Sequence, residues 1–510
     1  MLSAFARPAH AQLVNGNGPR TAPPAGARAP LGPIPPPYPV DEEYLEWPLA
    51  PADKAYGSID GHEMYKYVQD LCAIPEKYRD EGHQFWGRIT GTSADQETQD
   101  WLVQKFKAAG ISDIRIQNID LPPQWMPQSW SVSITGNGTT LNPKTVTPTM
   151  STPGTPPGGL DLEAVYVGLA SEADFIGRDV KGKAVFIYSS THSHQQNTGT
   201  AERTALRAQQ KGAAAVFIIM SLPGNVSWSI YNQGTNIPTF MMGLEDGLAL
   251  RDMIGKIGAN GPAPHVKINM DVQMVPNEKT STIWATLPGR TDEKIYLVAH
   301  RDGFFDGAVD NGTGIASSVA LAEYFAKTPK EKRRRTIVFV STTGHHSNGD
   351  NAQPHVTVSG DWIYKHHDEV FANTALLINL EHTATTDVTY YLPGSGVRKA
   401  TSTEEPLFWF FRGSTKLEDL MFNDFREFGV PLYTEADRAA YGEIQDYTTF
   451  SPTIQTIDFG AFSHSDHEGI DMVPWTGLEA TTRAYAKIMD DVNKLDTKDL
   501  QPTPPAAKQP

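Results

Sequence analysis

The chain has 510 residues, of which 39% are hydrophobic and 20% are charged, as in folded globular proteins. Its 59 acidic and 43 basic side chains give a formal net charge of −16, which argues against nucleic acid or an anionic lipid surface as a partner. The single cysteine excludes an intrachain disulfide and a cysteine-rich zinc finger, and no apolar run is long enough for a transmembrane helix. A chain of this length is expected to hold more than one domain.

Residues 1–45 are expected to form a tail or linker outside the folded domains. Residues 15–40 are rich in Pro, Gly and Ala, which do not make regular hydrogen-bonded structure. The segment 9–11 reads Ala-His-Ala and resembles the end of a secretory signal, although only about eight residues precede it. We therefore expect a protein that is exported to a periplasm or secreted.

The folded part is expected to consist of one domain that is interrupted by a smaller module. A Pro/Gly cluster at 152–159 marks the boundary between them. Residues 155–263 predict a small α/β-type module with strands at 165–168, 184–188 and 213–220 and a helix at 201–211. The larger, catalytic domain is assigned to residues 46–154 and 264–495, and residues 496–510 to a C-terminal tail.

Four short apolar strands in the C-terminal half each lead into side chains that can bind metal. Continuous apolar strands are typical of a parallel or mixed sheet that is covered by helices on both faces. The carboxyl ends of such strands meet at one edge of the sheet, so their polar side chains converge. We therefore predict an α/β fold with a mixed central sheet flanked by helices. The strands and the side chains that follow them are 295–299 with His300 and Asp302, 336–340 with His345 and His346, 375–380 with Glu381 and His382, and 454–459 with His464 and His467.

A turn-rich loop between the first two of these strands adds a carboxylate at the same edge. It supplies Asp310 just before a helix with apolar positions at Ile315, Val319 and Phe325. Imidazole and carboxylate groups suit Zn²⁺ and related divalent ions when an exchangeable water must remain. One such residue would be ordinary surface, but their recurrence at four strand ends predicts a metal site.

A dense basic run at 330–335 immediately precedes the second of these strands. Charge runs usually form solvated surface, so this one predicts an exposed loop. The acidic balance of the whole chain already argues against nucleic acid, and the run is assigned no binding role.

The ordered set of these residues resembles the co-catalytic zinc aminopeptidases, a family that also includes glutaminyl cyclase-like and transferrin receptor-like proteins. The family pattern is His-x-Asp after a strand, Asp-Asn before a helix, a Glu-Glu pair, a carboxylate after a strand and a late His. The matching residues here are His300, Asp302, Asp310, Asn311, Glu381 and His464. The similarity runs from 59 to 493 without the inserted module, which itself resembles the protease-associated domain often inserted in this family.

This resemblance implies a metal-dependent hydrolase that acts on peptides or small amides. It implies one or two Zn²⁺ ions per chain, although other divalent metals suit the same ligand types. The implied metal ligands are His300, Asp310 and Glu381 for one ion and Asp310, His346 and His464 for the other. Asp302 would not bind the metal itself but would contact His300 and orient its ring.

One departure from the family pattern concerns the Glu-Glu pair, which is His345-His346 in this chain. By position, His345 would be the catalytic base and His346 a ligand, because an imidazole beside cations stays neutral and can accept a proton. The other candidates for this proton transfer are His382 and His467. The departure motivates one alternative, an inactive peptidase homologue that binds peptides or partners. The resemblance leaves open another, an aminoacyl cyclase, because relatives perform that reaction on the same scaffold. The sequence does not indicate the substrate side-chain preference or the oligomeric state.

Overall fold

The computed structural model describes residues 46–502, except for 191–202, 223, 232–233, 259–260, 347–357, 391–396, 433–443, 445–446, 448, 459 and 461. The predictions for residues 1–45 lie outside this part of the chain. Its helices are Gly61–Asp80, Ser93–Ala108, Thr204–Gln210, Leu244–Ile257, Gly314–Ala326, Val358–Lys365, His367–Val370, Thr415–Glu427, Trp475–Val492 and Thr497–Leu500. Over the described residues, no helix is both long and apolar enough to cross a membrane.

The strands of the described residues are numbered in chain order. They are β1 Gly87–Arg88, β2 Asp113–Asp120, β3 Gln124–Gly136, β4 Thr139–Leu141, β5 Thr147–Pro148, β6 Leu160–Tyr166, β7 Ala184–Ser189, β8 Ala215–Met220, β9 Thr239–Met242, β10 His265–Val275, β11 Lys279–Leu287, β12 Lys294–His300, β13 Gly303–Phe304, β14 Thr336–Thr342, β15 Thr374–Leu380, β16 Thr386–Tyr390, β17 Val397–Glu404, β18 Phe408–Arg412 and β19 Thr453–Ile457.

The central sheet has the strand order β18-β19-β15-β12-β14-β11-β2. Strands β19, β15, β12 and β14 are parallel to one another, and these are the four apolar strands recognised in the sequence. Strands β18, β11 and β2 add antiparallel pairs at both sides. The predicted α/β fold with a mixed central sheet flanked by helices is therefore confirmed.

The apolar strands form the central sheet because each of their two faces has a separate core to bury against. In β12, Ile295 and Leu297 belong to the core that includes the helices Gly314–Ala326 and Trp475–Val492. Tyr296 faces the opposite core, which the helix Val358–Lys365 covers. Full burial of each large apolar side chain stabilises the fold by roughly 1.5–3 kcal/mol. The strand ends are thereby held in register at one edge.

A second sheet has the strand order β4-β3-β10-β6-β7-β8-β9-β5. Strands β6 to β9 come from the stretch predicted to be an inserted module, and none of them joins the central sheet in the described part of the chain. Strands β3, β4, β5 and β10 lie outside the borders 155–263, and β3 pairs with β10 along nearly its whole length. The sheet is therefore wider than the predicted module, and the domain borders stay a prediction.

Residues 330–332 of the basic run are exposed, as the sequence predicted, but Arg333 and Arg335 are not. Arg333 and Arg335 are 5% and 0% exposed. Arg335 donates hydrogen bonds to the carbonyls of Val492 and Leu495, and its Nε lies 3.1 Å from a Glu293 oxygen. Carbonyls at the end of a helix have no partner within the helix, so a buried guanidinium can satisfy them. The prediction was wrong for Arg333 and Arg335, and for Arg335 the reason is that its contacts join segments far apart in sequence.

Candidate metal centre

The site lies where the parallel strands of the central sheet end. The register of β12 on β14 places His300 beside Thr342, so both strands finish at the same edge. Glu381 follows β15 directly, and Asp310 lies in the turn before the helix Gly314–Ala326. The Oδ1 atom of Asn311 accepts hydrogen bonds from the backbone N–H groups of Gly314 and His382. One side chain thus ties the turn to the end of β15.

Asp310 is the centre of the site, and imidazole nitrogens approach both of its oxygens. Its Oδ1 lies 3.3 Å from Nε2 of His300, 3.0 Å from that of His346 and 3.2 Å from that of His382. Its Oδ2 lies 2.9 Å from Nε2 of His464. Residues that are far apart in sequence therefore meet around one carboxylate.

Glu381 completes the set of predicted ligands. Its Oε1 lies 3.1 Å from Nε2 of His300 and 3.5 Å from Nε2 of His382. All five predicted metal ligands therefore come together, with His382 as an additional member. We call His300, Asp310, Glu381 and His382 the first cluster, and Asp310, His346 and His464 the second cluster.

Hydrogen bonds on the far side of the rings fix the direction of the imidazoles. The Nδ1–H of His300 donates to the backbone carbonyl of Asp302 at 3.0 Å, and that of His382 donates to the backbone carbonyl of Asp458. A carbonyl only accepts, so Nδ1 carries a proton in each ring, and Nε2 is the nitrogen that faces the carboxylates. Such contacts orient imidazoles in metal sites.

Asp302 supports both clusters, although not mainly through the contact that the resemblance implies. Its carboxylate Oδ1 lies 3.6 Å from Nδ1 of His300, farther than its own backbone carbonyl. Its other oxygen accepts a hydrogen bond from the backbone N–H of His346. Asp302 is fully buried, so these contacts hold the ends of β12 and β14 in a fixed relation.

His345 lies beside the clusters without joining the contacts to Asp310. Its ring centroid is 4.5 Å from that of His300 and 4.6 Å from that of His346. Among the described residues, its Nδ1 has no hydrogen-bond partner. Burial, reinforced by the neighbouring His300 and His346 rings, holds the pKa of His345 well below its ordinary value. A neutral imidazole therefore borders both clusters.

The two carboxylates of the first cluster, Asp310 and Glu381, are held in their ionised form. Burial by itself would raise the pKa of Asp310, but His346, His382 and His300 outweigh it and bring that pKa well below its ordinary value. Burial acts in the same direction on Glu381, and His300 reverses it, so that the pKa of Glu381 falls to about 2. Ionised carboxylates are the form that binds a cation.

Glu468 is a site residue that the sequence analysis missed. One of its oxygens accepts a hydrogen bond from the backbone N–H of Asp310, and the other accepts one from that of His464 at 2.7 Å. Burial and then the charge of Asp310 raise the pKa of Glu468 to about 8. No spacing rule marks this glutamate, because it contacts backbone groups rather than continuing a motif. It joins the turn of Asp310 to the loop of His464.

The segment 227–231 of the predicted insertion also borders the site and was missed. The Tyr231 hydroxyl hydrogen-bonds Nδ1 of His346 at 2.9 Å. The backbone N–H of Ser229 donates to the carbonyl of His464 at 2.9 Å, and the indole N–H of Trp228 donates to that of Ser463. The second cluster therefore depends on chain that lies outside the C-terminal half.

Donor types and spacing both fit a divalent cation. The four distances between the first-cluster donor atoms given above lie between 3.1 and 3.5 Å. Two atoms that each lie about 2.0–2.1 Å from a tetrahedral zinc are separated by about 3.3 Å. The side chains of the first cluster therefore fit a bound divalent cation such as Zn²⁺.

Residues 282–489 match the model of Peptidase family M28. The chain carries a Peptidase family M28 domain. This domain begins in β11 and includes all the predicted site residues. It does not include the segment 227–231.

The curated relatives of this M28-domain chain are similar over part of their length. Leucine aminopeptidase 2 of Arthroderma otae is 23% identical over 297 residues, which cover 56% of this chain and 54% of the relative. Carboxypeptidase Q of Mus musculus is 21% identical over 292 residues, with 52% and 57% covered. The match therefore spans about half the length of each relative.

Solved structures match the fold of the chain over most of its length. The peptidase M28 precursor from Shewanella amazonensis has a TM-score of 0.64 and 18% identity, with 89% of this chain and 100% of that chain covered. The zinc aminopeptidase from Bacillus subtilis has a TM-score of 0.60 and 15% identity, with 87% and 98% covered. At these identities the similarity establishes the fold.

Proposed function

We propose that the chain is a zinc-dependent hydrolase of peptide or small amide bonds with aminopeptidase-like activity. The observation that carries the proposal is the convergence of five predicted ligands from separate strand ends around Asp310. Buried imidazoles and ionised carboxylates at this spacing suit Zn²⁺, and other divalent metals suit the same donors. The M28 domain and the names of the relatives support the same class of reaction.

A divalent ion held by these residues would polarise the amide carbonyl and lower the pKa of the attacking water. His300, Asp310 and Glu381 would hold one ion. Asp310, His346 and His464 would hold the other. Because Asp310 belongs to both clusters, its position determines how both ions would lie relative to the substrate.

His345 is the proposed proton acceptor. Its Nδ1 takes a proton from the attacking water as the oxygen adds to the carbonyl carbon, and returns it to the nitrogen of the leaving amine as the C–N bond breaks. Its lowered pKa keeps it unprotonated before the reaction. General-base catalysis of this kind contributes about 10²- to 10⁴-fold to the rate. Asp302 positions the neighbours of His345 through its contacts with His300 and His346.

The substrate end that is cleaved needs a direct test, because the relatives bear the names of both an aminopeptidase and a carboxypeptidase. The purified chain should be assayed on aminoacyl amides, on peptides with a blocked amino terminus and on peptides with a blocked carboxyl terminus. We expect hydrolysis that requires a free amino terminus, is abolished by a chelator and is restored by Zn²⁺. Cleavage that requires only a free carboxyl terminus would contradict the aminopeptidase part alone.

An inactive binding protein and an aminoacyl cyclase are the competing outcomes. The replacement of the Glu-Glu pair by His345-His346 motivates the first of them. No turnover on any substrate with Zn²⁺ added would favour the binding protein. Cyclisation of amino-terminal glutamine peptides without hydrolysis would favour the cyclase.

The location of the chain and the nature of the inserted module are proposals as well. The Ala-His-Ala segment at 9–11 supports export to a periplasm or secretion. The contacts of Trp228 and Tyr231 with the site support a role in substrate access for the module at 155–263, which resembles a protease-associated domain. Cell fractionation tests the first proposal, and peptide KM values of variants in 227–231 test the second.

A further inference from the structure

His382 has the position of a metal ligand, although the family pattern assigns it no role. Its Nε2 lies 3.2 Å from Oδ1 of Asp310 and 3.5 Å from Oε1 of Glu381. The same two oxygens lie 3.3 and 3.1 Å from Nε2 of His300. These four distances between ligand atoms are close to the separation expected for two ligands of one tetrahedral zinc ion, about 3.3 Å.

Two hydrogen bonds and burial hold the ring of His382 towards this point. Its own N–H donates to Oδ1 of Asn311 at 3.1 Å, and its Nδ1–H donates to the carbonyl of Asp458. Its φ angle is +39°, in the left-handed region that costs a non-glycine residue of the order of 1 kcal/mol or more. The side chain is only 3% exposed. The surrounding contacts therefore keep this ring directed at the carboxylates in spite of an unfavourable backbone conformation.

The two clusters differ in the number of ligands they offer. The first cluster provides two carboxylates and, with His382, two imidazoles, which complete a tetrahedral set. The second cluster provides one carboxylate and two imidazoles. Zinc sites with four protein ligands are closed, whereas those with three retain an exchangeable position.

We propose that His382 is the fourth protein ligand of the ion in the first cluster. This ligand closes the first position, so that water and substrate exchange at the second cluster. The inference rests on the proposed function, because it requires that the chain binds metal. The first cluster should bind its ion more tightly, because it has two carboxylates to balance the divalent charge and the second cluster has only one.

The test counts metal rather than activity. Purified wild type, His382→Ala and His382→Asn should be titrated with a competing chelator while bound zinc is measured by elemental analysis. We expect the wild type to release the ion of the second cluster easily and the ion of the first cluster with difficulty. Both variants should bind the ion of the first cluster at least about 10²-fold more weakly than the wild type. This factor is the upper end of the effect of losing a residue that only supports a ligand. Asn can place an N–H donor where Nδ1 lies, near the Asp458 carbonyl, but it lacks Nε2.

A cobalt-substituted sample provides an independent signal, because the visible spectrum of Co²⁺ reports its coordination number. The tight site should give the intense absorption of four-coordinate cobalt in the wild type and lose it in both variants. His366→Ala is the matched control, because His366 is an exposed histidine that stacks on Trp362 away from the site. This control should keep the wild-type affinity and spectrum.

The outcomes separate the inference from the proposed function. Wild-type affinity and spectrum in both His382 variants would overturn the inference while the enzyme proposal stands. Metal in the wild type without hydrolysis would contradict the enzyme proposal, and the His382 result would still decide the ligand. A wild type that binds neither Zn²⁺ nor Co²⁺ would overturn both. Thermal unfolding of metal-free protein shows whether each variant is folded.

Discussion

The two clusters share Asp310 but are assembled in different ways. Three residues of the first cluster lie at the end of β12 or directly after β15, two neighbouring strands of one sheet. In the second cluster, His464 lies in a loop after β19 that is held by Glu468 and by the segment 227–231. Sheet register thus fixes the first cluster, whereas the second depends on contacts between remote parts of the chain. The first is expected to be the more rigid and the second the more easily disturbed.

The largest effect is expected for the residue that the two clusters share. Asp310→Asn keeps the size of the side chain and removes its charge, so the chain should lose metal from both clusters and hydrolysis should fall below detection. Elemental analysis and the aminoacyl amide assay measure the two effects. Asp361→Asn is the control, because Asp361 forms an exposed ion pair with Lys365. Retention of one tightly bound ion in Asp310→Asn would show that the clusters are independent.

His346→Ala should separate the clusters. It removes a ligand of the second cluster only, so the chain should retain the tightly bound ion and lose the weakly bound one, with most of the activity. Metal per chain measured across a chelator titration distinguishes this result from that of Asp310→Asn. Loss of both ions together would mean that the first cluster cannot hold metal by itself.

His345→Ala tests proton transfer without touching either cluster. Because general-base catalysis is worth about 10²- to 10⁴-fold, kcat should fall by that factor while the bound metal is unchanged. Ring nitrogens of His300, His345 and His346 lie within 4.8 Å of one another, so loss of metal in this variant would identify His345 as a ligand instead. An unchanged kcat would move the proton transfer to His467, because His382 is assigned to the metal.

The smallest effect is expected for Tyr231→Phe, which removes the hydroxyl bonded to Nδ1 of His346. Loss of a group that orients a metal ligand typically weakens metal affinity or activity by about 10- to 100-fold. The second cluster should show this loss, and the first cluster should keep its affinity. Tyr166→Phe, in strand β6 of the second sheet, is the control. Equal weakening of both clusters would contradict the separate assembly described above.

The sequence determined the chemistry of the first cluster and much of its geometry. Strands 295–299 and 375–380 are almost continuously apolar, so the sequence places both in one buried sheet, and the polar residues that follow them are expected at one edge. The same reasoning brought Asp310 to that edge, because it precedes a helix that packs on the sheet. The sequence pattern and the tertiary structure agree for the first cluster, because β12 and β15 are paired and the register of this pair sets the positions of their ends.

Only the tertiary structure decided which additional residues complete the site. The contact of Glu468 with Asp310, that of Tyr231 with His346 and the ring direction of His382 depend on hydrogen bonds between groups that are 76 or more residues apart in the chain. The burial of Arg335 under the C-terminal helix has the same origin, with a partner 157 residues away. A sequence pattern records the periodicity of a single element and the chemistry of its ends. It does not record which remote donor or acceptor will satisfy a buried polar group, because that partner is chosen by the packing of the whole chain.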